Sequence, residues 1–287
     1  MTPAGLARSA LRFVHGPVDA TRLVVFRLLL AHSLLIYMLF RWQERAEWLT
    51  TAGYHPSGAA VDGLQQPVPL LPEAALPWFG AAYFGSIAAL IFGVRPRVTI
   101  WLVLAGTVYV TLADRLAAFT INKLFVATWF ILALAPPIFS DAEGRLRTRS
   151  AWALRVLQLT FILQVFGAGI CKVRFGDWIG HDDTLWAQVQ LTFMTDIAAW
   201  MVRNLPLSVW AFLQHLALGF ELAMPLLFLV RRLRPLGYLM GFGMFAIISL
   251  TMHELIFFAL QLVCFFVLFI DPDRLHRWRA AVRRRLG

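Results

Sequence analysis

Long apolar stretches follow one another along this chain, separated by short polar runs that hold nearly all of its charge. Eight stretches stand out, at residues 22–40, 73–94, 98–113, 121–138, 152–172, 205–230, 236–252 and 255–270. Most approach the roughly 20 apolar residues that carry a helix across a bilayer. The pattern predicts an all-α fold: a polytopic helical membrane protein with about eight transmembrane helices. Arg95-Pro96-Arg97 and Arg231-Arg232-Leu233-Arg234-Pro235 read as tight turns. Residues 50–72 hold Gly53, Pro56, Gly58, Gly63, Pro67, Pro69 and Pro72, which argues for an ordered loop or lid rather than a helix. The stretch 186–200 alternates apolar and polar residues and predicts one or two interfacial or re-entrant helices.

Composition supports the membrane class and adds an orientation. Hydrophobic residues make up 60% of the chain, and no second folded unit is left over beside the spans. The formal charge of +10 is carried by arginines in the short runs. That placement suits topology and contact with anionic membrane lipids rather than nucleic acid. With eight spans, the N-terminus, the runs at Arg95, Arg145 and Arg231, and the C-terminal tail fall on one side. All are basic, so the positive-inside rule makes both termini cytoplasmic. The expected organisation is a basic N-terminal region at 1–19, a transmembrane domain at 20–271 and a basic cytoplasmic tail at 272–287. The first span lacks a small-residue cleavage signal and reads as a retained anchor. Cys171 and Cys264 both fall in spans, which argues against a disulfide framework. No HExxH pattern or cysteine–histidine cluster supports a metal, and no Gly-rich loop supports a nucleotide.

The unusual polar residues collect on the side opposite the arginines. Lys172 closes the fifth span and opens a polar turn through Asp177, Trp178, His181, Asp182 and Asp183. Only two of the 26 basic residues are lysine, Lys123 and Lys172. Burial can populate a neutral lysine amine, whereas a guanidinium stays charged. Lys172 is therefore a candidate proton acceptor, with a snorkelling cation or an anion clamp as alternatives. A carboxylate directly beside it would oppose base action, so Asp177 is expected to brace the turn instead. Asn122 and Lys123 form a second polar pair at the mouth of the fourth span, with a helix cap as the plain reading of Asn122. His253 lies at the outer end of the seventh span. Glu221 lies mid-span, where an ionised carboxylate needs a partner, a proton or a hydrated cavity. Arg27, in the first span, either snorkels or pairs with an acid on another helix. Gln214 and Glu221 are seven residues apart and share a helix face.

Phe166-Gly167-Ala168-Gly169-Ile170-Cys171-Lys172-Val173, with Asp177-Trp178-Ile179-Gly180 after it, resembles the signature of the HTTM family. This family of multi-span membrane proteins includes the vitamin K-dependent gamma-glutamyl carboxylases. On that resemblance Lys172 takes the place of the second of two lysines, regarded as the catalytic base, and Cys171 replaces the first. Asn122-Lys123 resembles the family's Asn-His step, with lysine in the histidine position. With the orientation from the positive-inside rule, the expected site lies on the non-cytoplasmic side of a bacterial inner membrane. Lys172 would there deprotonate a reduced quinone or vitamin K-like hydroquinone, with Asn122, Lys123 and His253 orienting it. Arg27, Asp177, Trp178 and Glu221 would shape the pocket. Oxygen and carbon dioxide would be cosubstrates if the chemistry is carboxylation of a secreted peptide or small molecule. Carboxylases carry a large luminal region after the membrane domain, and this sequence shows only a short basic tail. An accessory that matures or exports a peptide or lipid without catalysis is therefore the alternative, with transport third.

Overall fold

The computed structural model describes residues 3–53, 55, 67–114 and 119–286. Most of the proposed lid at 50–72 lies outside these residues. The described chain is mostly helical and is a polytopic membrane protein. Five helices are long and apolar enough to cross a bilayer, or six if the bent pair Leu255–Phe269 and Pro272–Trp278 counts as one span. The chain divides into two compact units, Met1–Ala153 and Leu154–Gly287.

The first unit starts with α1 (Pro3–His15) and β1 (Val18–Asp19), followed by α2 (Thr21–Arg41). The charged, aromatic segment after residue 40 does not leave the helical path. It continues through a 3₁₀ turn into α3 (Arg45–Leu49), so that Thr21–Leu49 is one long span. Next come α4 (Leu76–Ile91), α5 (Pro96–Ala113) and α6 (Thr120–Leu134). The α4–α5 turn puts Arg95 in the left-handed region, φ 39°, with Pro96 starting the next helix. α6 stops at Leu134, short of the expected residue 138. Pro136 and Pro137 follow, and a proline disfavours helical backbone in the residue before it. Fifteen residues rise only about 22 Å, which is why α6 falls short of a full span.

The basic loop after α6 is not irregular. β2 (Ile138–Ser140) and β3 (Leu146–Thr148) form a hairpin, and β1 pairs with β3 on its other side, giving the order β1-β3-β2. Val18 faces Thr148 and Ile138 faces the same Thr148, all antiparallel. Asp141 fixes the hairpin turn by accepting from the Arg145 N–H at 2.7 Å and from Arg147 Nε at 3.0 Å.

The second unit holds most of α7 (Trp152–Phe175), then α8 (Thr184–Val189), α9 (Asp196–Asn204), α10 (Leu207–Leu229), α11 (Arg234–Thr251), α12 (Leu255–Phe265) and α13 (Pro272–Leu286). The alternating stretch at 186–200 is thus two short helices, the second capped where the Ala198 N–H donates to Thr195 Oγ1. Phe161, Phe228, Phe265, Phe266 and Phe269 pack together; the Phe228–Phe269 and Phe161–Phe265 centroids are 4.9 and 5.4 Å apart. Lipid is as apolar as these rings, so close fit rather than water exclusion holds the helices together. Backbone groups at the helix ends still need partners. Arg234 donates to the carbonyls of Phe228 and Phe269, and the Gln158 amide donates to Leu268 O. The bonds to Phe269 and Leu268 sit at the 106° bend between α12 and α13.

Candidate functional site

Lys172 does not open the polar turn: α7 continues one turn further, to Phe175. Its Nζ donates to Glu221 Oε1 at 2.6 Å and sits 4.1 Å from the centre of the Trp178 ring. The Lys172 side chain is 27% exposed, that of Glu221 only 7%. Glu221 Oε2 is buried and has no hydrogen-bond partner among the described residues. Glu221 is thus paired, and its partner is Lys172. The carboxylate that opposes a free amine is present, but it comes from α10 rather than from the turn.

Close helix approach makes this pair. Gly169 lies one turn before Lys172 on the same face of α7. A Cβ there would meet Glu221 Cβ at 2.9 Å and the Glu221 backbone carbon at 3.3 Å. A hydrogen at residue 169 therefore lets α7 approach α10 closely enough for the lysine to reach the carboxylate. Gly167 has open space around it. Gly169→Val should accordingly destabilise the protein by about 1–3 kcal/mol through overpacking. Gly167→Ala should be neutral or stabilising by up to about 1 kcal/mol, since helical glycine costs that much relative to alanine. Thermal unfolding of the two variants in the same detergent checks this, and equal losses would contradict the close-approach argument.

The turn after α7 is held from α10 as well. Gln214 is fully buried; its amide donates to the carbonyls of Trp178 at 3.1 Å and His181 at 2.6 Å, and its Oε1 accepts from the Leu185 N–H at 2.9 Å. One face of α10 therefore carries both fixing groups, Gln214 for the turn and Glu221 for the lysine, two turns apart. Asp177 contributes conformation, with φ 52°, and its carbonyl accepts from Thr184 Oγ1 at 2.9 Å. The side chain that braces the turn is Gln214, which sequence reasoning aligned with Glu221 without giving it a role. Trp178 is buried under the ammonium. Asp182 is exposed and lies 3.9 Å from His215. Compared with protein families, curated proteins and solved structures, the chain matches none.

His253 is exposed, and its backbone N–H donates to Phe193 O at 2.7 Å, tying the turn before α12 to the segment between α8 and α9. In the first unit, Asn122 is not a cap: Phe119 holds that position, and Asn122 lies inside the first turn of α6. Its buried Oδ1 accepts from Tyr37 O–H at 3.0 Å. Lys123, beside it, is exposed. Arg41 pairs with Asp114 and lies 4.6 Å from the Trp48 ring. Neither Tyr37 nor the Arg41–Asp114 pair was singled out in the sequence; a tyrosine and two charges at the ends of apolar spans were the available signals. Arg27 forms no ion pair among the described residues.

Proposed function

We propose that this membrane protein is an enzyme whose Lys172–Glu221 couple takes a proton from a weakly acidic hydroxyl compound dissolved in the membrane, of the hydroquinone class. The observation that carries the reading is the 2.6 Å contact between the amine and a buried carboxylate whose second oxygen has no partner among the described residues. In low dielectric the attraction within an ion pair is offset by the loss of hydration, and on this proposal the pair exchanges its proton internally. Moving one proton from Nζ to Glu221 leaves a neutral amine and a carboxylic acid. Nζ then accepts a proton from the hydroxyl, and Glu221 keeps the first proton on either oxygen. The net change is one proton gained by the couple, which then carries a positive charge stabilised by the Trp178 face. A hydroquinone would supply the acidic hydroxyl and the electrons for reaction with oxygen. The residues suit such a group because they hold a proton acceptor and a separate proton store side by side.

The test is oxygen uptake by proteoliposomes given a reduced naphthohydroquinone. Wild type should exceed empty vesicles, and Glu221→Gln should lose most of that excess because the amide cannot store the proton. Uptake by Glu221→Gln equal to wild type would end the couple's role. The accessory reading is supported by the exposed apolar side chains Phe175, Ile179, Leu191 and Trp200, from the end of α7 to α9. It gains if no hydroquinone-dependent uptake occurs while a client peptide binds that segment.

The proposed topology keeps eight crossings by counting α6, α11 and α12 as short spans, with both termini in the cytoplasm. The basic segments at one set of helix ends support it. Thr148 is fully buried in the small sheet, so accessibility is better probed at exposed Glu143 and Asp182. In a background lacking Cys171 and Cys264, Asp182→Cys should react with an impermeant maleimide in intact cells. Glu143→Cys should react only after permeabilisation. The reverse pattern would invert the orientation.

A further inference from the structure

The first unit contains a cavity of about 730 Å³, inside the range of roughly 300–1,000 Å³ typical of small-molecule pockets. Its walls are the first turns of α2, the α4–α5 turn with the start of α5, and the end of α6 with the residues up to 138. Among the described residues, three arginines line it, Arg27, Arg95 and Arg97, and no aspartate or glutamate does. None of the three side chains has an ion-pair or hydrogen-bond partner among the described residues, and the Nε of Arg27 is buried. The rest of the wall is chiefly apolar, with Leu23, Trp101 and Ile138 among its residues. Cations gathered without counter-charge repel one another, and a buried guanidinium edge without an acceptor is costly. An anion answers both costs.

We infer that this cavity binds an anionic phospholipid, its phosphate held by Arg27, Arg95 and Arg97 and its acyl chains against the apolar wall. The guanidinium fork matches phosphate oxygens in pairs. The start of α5, where Arg97 lies, adds the positive end of a helix dipole. A small free phosphate would satisfy the arginines but leave the apolar wall uncovered, and the cavity lies at the ends of membrane helices, where lipid is the abundant amphiphile. The inference is independent of the proton-transfer reading, which uses residues of the second unit only.

The test is native mass spectrometry of the full chain in detergent, titrated separately with phosphatidylglycerol and phosphatidylcholine. Wild type should retain one phosphatidylglycerol at least about tenfold more tightly than phosphatidylcholine. Joint Arg27→Gln, Arg95→Gln and Arg97→Gln should weaken phosphatidylglycerol roughly 100-fold, each guanidinium contributing about fivefold. The matching triple lysine variant should fall between, because it keeps the charge but loses the fork. Equal retention of the two lipids by wild type would overturn the inference, as would undiminished affinity in the folded glutamine variant. Displacement by glycerol 3-phosphate at the concentration of the intact lipid would assign the cavity to free phosphate and overturn the lipid. If the glutamine variant does not fold, wild-type head-group selectivity and the lysine variant decide: unchanged affinity in the latter counts against the phosphate contact.

Discussion

Lys172→Met should destabilise this protein far more than Lys172→Met combined with Glu221→Met. The lysine is the described partner of a carboxylate that is 7% exposed. Removing it leaves that carboxylate without the cation that pairs with it among the described residues, the situation in which breaking a buried pair costs about 3–5 kcal/mol. Methionine in both places removes the orphan charge and keeps side chains of similar length against Trp178 and Gly169. Replacing a whole buried pair with apolar residues is often neutral or stabilising, so the double variant should return to within about 1 kcal/mol of wild type. Reversible unfolding in mixed micelles, run on wild type, both singles and the double, gives the coupling directly. Additive losses would mean that the two side chains do not depend on each other, and the 2.6 Å contact would then carry no weight in the fold.

That coupling also shows what the sequence could and could not reveal. The membrane class was legible because apolar length is a property of neighbours in the chain, and the runs 22–40 and 152–172 announce themselves. The end of α6 was less so: hydropathy continues past Leu134, and only the proline pair marks the stop. The three-stranded sheet was invisible, since strands of two and three residues are held by pairs such as Val18 with Thr148, far apart in sequence. Lys172 stood out by rarity, Glu221 by its place in a span, and Trp178 only as part of the Asp177-Trp178 motif. Their meeting did not, because 49 residues separate lysine from glutamate and a glycine on α7 decides the distance between them. Gln214 was hidden for another reason. A buried amide looks polar in a list of residues, and its role appears only with the three backbone groups it satisfies.

Lys172→Arg separates a charge from a base. The Glu221 carboxylate accepts an arginine fork as readily as an ammonium, and an arginine can also lie over the Trp178 ring. The variant should therefore assemble, and its stability should stay closer to wild type than that of Lys172→Met. Its chemistry differs, because a guanidinium does not release its proton at any pH the fold survives. The proposed exchange with Glu221 then has no neutral form to reach. General-base catalysis contributes about 10²–10⁴-fold, so hydroquinone-dependent oxygen uptake should fall by that factor, to the level of vesicles alone. An infrared difference spectrum between acid and neutral pH supplies a readout that needs no substrate. The protonated-carboxyl band assigned to Glu221 should be absent from Glu221→Gln and altered in Lys172→Arg, where the carboxylate faces a partner that cannot give up a proton. Wild-type uptake in a well-folded arginine variant would show that positive charge is all the site requires. Lys172 would then be a clamp for an anionic group, and the proton-transfer reading would be wrong although the ion pair that suggested it is real.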